Sequence, residues 1–171
     1  MQGYVQVYTG EGKGKTTAAL GLTLRAVGAG LKVYIGQFMK KFDYCEIRGL
    51  SRLGAQIKVE QYGNDCHVIG TPAPGDVEAA QCGLALLKSE LASGAWDVVI
   101  ADEANVAMSF GLLTEQDLLD LIRMRPAGVE LVLTGRGATA AVMAAADLVT
   151  EMKAVKHYYA RGVTARRGIE S

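Results

Sequence analysis

What the sequence has little of narrows the field before any motif is read. Its 171 residues hold three cysteines, three prolines, two histidines and one tryptophan. Cys45, Cys66 and Cys82 are odd in number, scattered and never in C-x-x-C spacing. That argues against a disulfide framework or a structural zinc and for a reducing compartment. An excess of one charge is also lacking, since 18 Lys plus Arg are matched by 18 Asp plus Glu. A neutral chain has no global field to draw nucleic acid or a membrane surface, so neither partner is expected. No apolar run is long enough to cross a bilayer, and no basic segment followed by an apolar one opens the chain. The expected location is the cytoplasm. Linkers, repeats and low-complexity tracts are missing as well, and one domain over residues 1–171 is the expectation.

What is there alternates. Short β-rich runs fall at residues 4–8, 32–37, 56–61, 97–101, 129–133 and 147–151. Several are almost wholly apolar, such as Val98-Val99-Ile100, as strands covered on both faces should be. Helical patterns separate them. Residues 15–29 are rich in Ala and Leu and stop among Gly28 and Gly30. Residues 76–93 carry one apolar stripe (Val77, Ala80, Leu84, Leu87, Leu91), with Asp76 suited to cap its start and Gly94 its end. Thr114 with Asp117 reads as a capping box that opens a helix over 115–123. Strand and helix in repetition predict an α/β fold with a doubly wound, mostly parallel sheet of about six strands. The least regular stretch, residues 62–75, is punctuated by Gly63, Gly70, Pro72, Pro74 and Gly75 and reads either as a loop over a site or as irregular structure crossing the core.

The first apolar run leads into Thr9-Gly10-Glu11-Gly12-Lys13-Gly14-Lys15-Thr16-Thr17, and a helical pattern follows. Strand, glycine-rich turn and helix are the context of a phosphate-binding P-loop. Glycines let backbone N–H groups turn inward, and the helix N-terminus adds partial positive charge. Lys15 would reach phosphate and the Thr16 hydroxyl a divalent metal. Thr9 stands where the usual pattern begins with glycine. The fourth run ends in Asp102 and Glu103, carboxylates able to serve the acidic side of the metal site. Asn105 just beyond could add a polar contact or start a helix. Other polar groups follow other runs: Gln37 and Lys40, Thr134-Gly135-Arg136-Gly137, and Lys156-His157. In a parallel sheet these ends share one edge, where ligands bind. Arg136, between two glycines, offers a bidentate fork to phosphate. Neither His67 nor His157 sits in a nucleophile–base arrangement. The residues alone leave open an ATPase, a kinase, a regulatory nucleotide-binding module and a transferase that uses an external nucleophile.

The motifs also carry a resemblance. In order they are residues 9–21, Leu24-Arg25-Ala26-Val27-Gly28, Gln37-Phe38-Met39-Lys40, residues 97–103, Arg125-Pro126, Thr134-Gly135-Arg136-Gly137, Val155-Lys156-His157, Gly162-Val163-Thr164-Ala165-Arg166 and Gly168-Ile169-Glu170. Over nearly its full length the chain resembles the ATP:corrinoid adenosyltransferase family, the P-loop type of cob(I)alamin adenosyltransferase, in which Thr9 is typical. The resemblance implies a P-loop NTPase-like (RecA-like) fold. It implies that the Co(I) of a reduced corrinoid attacks the ATP 5′ carbon and releases tripolyphosphate, with ATP bound in the reverse of the usual P-loop sense. Lys15, Thr16, Arg25, Glu103 and Arg136 would then contact phosphate or metal (Mg²⁺ or Mn²⁺), with Asp102 beside them. An electron-donating reductase and a homodimer are implied too. Better-known members place an aromatic segment, roughly Gly-Phe-Thr-Trp, where this chain has residues 61–67, so Tyr62 and His67 become the corrinoid-side candidates. The alternative is a binding module, ATPase or kinase on the same fold without corrinoid turnover.

Overall fold

A computed structural model describes residues 1–41, 44–64 and 70–170. Cys66 and His67, and with them the expectation of His67 as a corrinoid-side residue, lie outside the described residues. Six strands form one sheet: β1 (Val5–Thr9), β2 (Val33–Phe38), β3 (Ile57–Tyr62), β4 (Val98–Asp102), β5 (Glu130–Thr134) and β6 (Leu148–Glu151). Their order is β3-β2-β4-β5-β1-β6, and every pairing is parallel. Each strand lies within one residue of its expected limits.

The helices take both faces. Alternate strand side chains feed two cores, because successive residues of a strand point to opposite sides. Val99, Ala101, Leu131 and Leu133 join the side covered by α3 (Pro74–Ala92), α4 (Ala104–Ser109), α5 (Glu115–Met124) and α6 (Ala140–Ala144). Val98, Ile100 and Val132 join the side covered by α1 (Lys15–Gly28) and α2 (Cys45–Ser51). The Thr114–Asp117 capping box forms as expected, with the Asp117 N–H donated to the Thr114 hydroxyl and the Thr114 N–H to the Asp117 carboxylate. Asp76 accepts the Ala73 N–H from within the first turn of α3. A short 3₁₀ turn, Tyr158–Arg161, lies in the C-terminal segment. Among the described residues no helix is long and apolar enough to cross a membrane.

Because all strands run the same way, Thr9, Phe38, Tyr62, Asp102, Thr134 and Glu151 end on one edge of the sheet. Strand β5 stands between β1, which feeds the glycine-rich loop, and β4, which carries the acids. The loop and both acids therefore meet above the middle of the sheet.

Candidate active site

The loop between β1 and α1 turns at Gly10 (φ 92°) and Gly14 (φ 119°), left-handed values that glycine adopts without strain. Lys15 opens α1 and is buried. Its Nζ donates to the carbonyl oxygens of Gly10 (2.7 Å) and Gly12 (2.8 Å), so the ammonium lies across the mouth of its own loop. Burial, and then the Arg136 guanidinium, lower its pKa, while Glu103 and Glu11 work in the other direction. One cradle donor is already engaged: the Gly12 N–H is given to the Met152 carbonyl at 2.6 Å, just past β6.

Asp102 is 1% exposed and collects four donors. Thr16 Oγ1 (2.9 Å) and Thr134 Oγ1 (2.7 Å) donate to Oδ1, and Gln37 Nε2 (3.1 Å) and Lys40 Nζ (2.9 Å) donate to Oδ2. Register accounts for part of this, since Gln37 pairs with Asp102 directly across β2 and β4. Thr16 gives its proton to Asp102, which leaves its oxygen lone pairs open for another partner. Glu103 turns the other way. It sits at φ 59°, a left-handed value uncommon for a side-chain-bearing residue, donates its N–H to Thr134 Oγ1 (2.9 Å), and faces the cavity. Burial first and Asp102 second raise its pKa, against Lys40, Lys15 and Arg136.

These groups line a cavity of about 690 Å³. Its floor is the loop from Glu11 to Thr17; Arg136 and Glu11 meet at its lip, 3.4 Å apart. Met39, Val106 and Phe110 give it an apolar wall, with Phe110 39% exposed. The C-terminal segment closes one side: His157 and Glu170 line the cavity, and Lys13 Nζ donates to the Ile169 carbonyl at 3.0 Å. His157 Nδ1 accepts the Tyr159 N–H, which places the proton of the neutral ring on Nε2.

The structure thus brings together Glu11, Gly12, Lys13, Gly14, Lys15, Thr16, Thr17, Glu103 and Arg136, with Asp102 beneath them. Thr9 is buried at the end of β1 and accepts the Ala138 N–H at 3.3 Å. Two of the expected residues stand away from this cavity. Arg25, three turns along α1, is exposed and is not among the cavity residues; its charge acts on the Tyr8 phenol instead. Tyr62 is 6% exposed and belongs to the core beneath α3. Its ring meets Phe38 edge-on at 5.2 Å and its hydroxyl is hydrogen-bonded to that of Tyr34; burial raises its pKa, against the Tyr34 hydrogen bond, and it is not among the cavity residues. Sequence reasoning missed Phe110, Val106 and Tyr44 as wall residues; they lie on short segments whose pattern carries no periodicity. Asn105 is fully buried at the start of α4, with its Nδ2 on the Gly135 carbonyl at 3.4 Å, which ties α4 to the Arg136 turn.

The chain is similar to known proteins over nearly all of its length. The corrinoid adenosyltransferase of Pseudomonas aeruginosa is 33% identical over 99% of this chain and 84% of its own length. That of Escherichia coli K12 is 32% identical over 99% of this chain and 86% of its own. The one from Salmonella typhimurium is 31% identical with the same coverage. Residues 1–171 match the family described as ATP:corrinoid adenosyltransferase BtuR/CobO/CobP. A P-loop backed by a paired acid, in a chain alike from end to end, places this protein in the ATP:corrinoid adenosyltransferase family, enzymes that transfer the adenosyl group of ATP to a corrinoid.

Proposed function

We propose that ATP binds with its triphosphate on the loop over residues 9–17, and that the Co(I) of a reduced corrinoid attacks the 5′ carbon while tripolyphosphate leaves whole. The observation that carries this reading is the joining, in one cavity, of a phosphate cradle (Lys15, Thr16) to an apolar wall (Met39, Val106, Phe110). The C5′–O bond breaks as the cobalt–carbon bond forms, and the electron pair of the broken bond goes to the phosphate oxygen. No proton has to leave the nucleophile, so the protein's task is to position the reactants and stabilise the leaving charge. Lys15 would exchange its carbonyl partners for phosphate oxygens, and Arg136 would bring its fork from the lip.

A divalent ion suits the donors present. Thr16, its proton held by Asp102, and the Glu103 carboxylate offer oxygen ligands. Among the described residues no group of three His, Cys, Asp or Glu could cage a metal, so phosphates and water would complete the shell, as Mg²⁺ prefers. Mn²⁺ accepts the same donors. When bound, such an ion would neutralise charge on the phosphate chain.

Co(I) must be supplied by an electron donor, and a reductase partner is part of this proposal. So are a homodimer, drawn from the family resemblance and open to sedimentation analysis, a cytoplasmic location and the reading of residues 1–171 as one nucleotide-binding domain. Phosphorus NMR of the products formed from ATP and chemically reduced corrinoid tests the central claim. Tripolyphosphate with a cobalt–carbon bond in the corrinoid spectrum is the expected result. Release of ADP would replace the transferase with a kinase or ATPase.

A further inference from the structure

The P-loop lysine is not the only ammonium built into this cavity. Lys40 lies two residues past β2. Met39 before it holds a left-handed φ of 58°, and Gly63 packs so closely on this turn that a Cβ there would stand 2.8 Å from the Lys40 nitrogen. The turn sends the Lys40 side chain back over the strand ends. Its Nζ reaches Asp102 Oδ2 at 2.9 Å and Glu46 Oε1 at 3.6 Å, and sits 5.4 Å from the centre of the Tyr44 ring. The side chain is 15% exposed and lines the cavity beside Thr16 and Glu103. An ammonium has three donors, and one is spent on Asp102. Glu46, at 3.6 Å, draws a second, and the third is left for the cavity without Lys40 having to move.

We propose that Lys40 is a second phosphate-binding lysine, held by Asp102 and Glu46 so that its remaining N–H meets the triphosphate chain. The inference rests on the adenosyl-transfer reading for why a second lysine is needed. A tripolyphosphate that departs whole takes the electron pair of the broken C5′–O bond and so one negative charge beyond those it bore in ATP, and fixed cations aimed at it lower the barrier. The competing account gives Lys40 a single task, neutralising buried Asp102.

A double-mutant cycle separates the two, with inorganic tripolyphosphate as the probe and titration calorimetry as the readout. K40M is expected to weaken tripolyphosphate binding about tenfold or more, and K40R to restore most of it, as for loss and return of a charge-assisted contact. The loss should persist when K40M is placed in a D102N background, where Asp102 carries no charge to neutralise. A loss below about twofold, or one that vanishes in D102N, would overturn the proposal. If D102N does not fold, the wild-type protein decides. The Lys40 Nζ resonance, assigned by its disappearance in K40R, should shift on adding tripolyphosphate, and an unmoved resonance rejects the contact. No corrinoid enters these measurements, so Lys40 is judged separately from the transfer reaction, which the product analysis judges.

Discussion

Asp102 and Glu103 are adjacent acids that the fold treats in opposite ways. Asp102 is sealed under four donors, whereas Glu103 faces the cavity with its pKa raised by burial and by Asp102. For a carboxyl raised in the folded state, the stabilising form is the protonated one. Its contribution is whole below the unfolded value of 4.5 and is lost as pH rises through the folded value. At neutral pH the Glu103 charge therefore opposes folding. Glu103→Gln should melt about 2–4 °C higher at pH 7, an effect of about 1 kcal/mol, and lose most of its turnover. Asp102→Asn should do the reverse in stability, losing roughly 1.5–3 kcal/mol because Lys40 is left without its nearest anion. Calorimetry from pH 5 to 8 beside an activity assay checks the pair, and the opposite ranking in stability would refute the assignment. Lys15→Ala should cut ATP affinity and turnover by roughly ten- to over a hundredfold, the worth of a charge-assisted contact. Unchanged ATP binding in that variant would mean that the loop does not hold phosphate.

Helix α3 shows what an element demands of its residues. It comes down on the sheet at Gly83, where an added Cβ would lie 2.3 Å from the Tyr62 ring. Gly36, on β2, leaves room for the same ring, with a Cβ there meeting it at 2.6 Å. Gly83→Ala gains about 1 kcal/mol of helix propensity but must move a ring wedged against Phe38. A net loss of about 1–2 kcal/mol is expected from overpacking, measured by urea unfolding. A more stable variant would show that the ring gives way easily. The same contact shows why the burial of Tyr62 was not legible. A tyrosine at a strand end followed by Gly63 fits a loop residue as well as a core one, and only the two distant glycines facing it tell them apart. The six strands and the three long helices were legible because their period shows over several residues. Helices α2, α4 and α6, of seven, six and five residues, span two turns or fewer and give periodicity nothing to work on.

At the scale of the molecule, the strand order gathers loops far apart in sequence onto one edge, and this part of the site could be foreseen from strand ends alone. Beyond Lys156-His157, which follow β6, the C-terminal segment could not. It reaches the cavity through contacts between distant residues, Lys13 with Ile169 and Glu170 with the cavity itself. Glu170 is fixed by Arg166 and Tyr158, which push its carboxyl down to about 2. Removing the chain from Val155 onward leaves all six strands and should change the melting temperature little. ATP affinity should fall about fivefold or more, the loss of a wall with its polar contacts. Thermal melts and nucleotide titrations of the truncated protein check this, and unaltered affinity would make the segment a bystander.

The link between the loop and Met152 has a consequence for how such a sequence should be interpreted. A side chain at Gly10 or Gly12 would collide with the Met152 carbonyl at 2.6 Å, and one at Gly14 would crowd the Met152 sulfur at 3.3 Å. Gly10 and Gly12 are thus required by the protein's own backbone lying against them, apart from any phosphate they would admit. A descendant that abandoned ATP would still be held to the same glycines by its fold. Their presence testifies to architecture, and it is Lys15, Thr16 and Glu103, which the fold could spare more readily, that testify to chemistry.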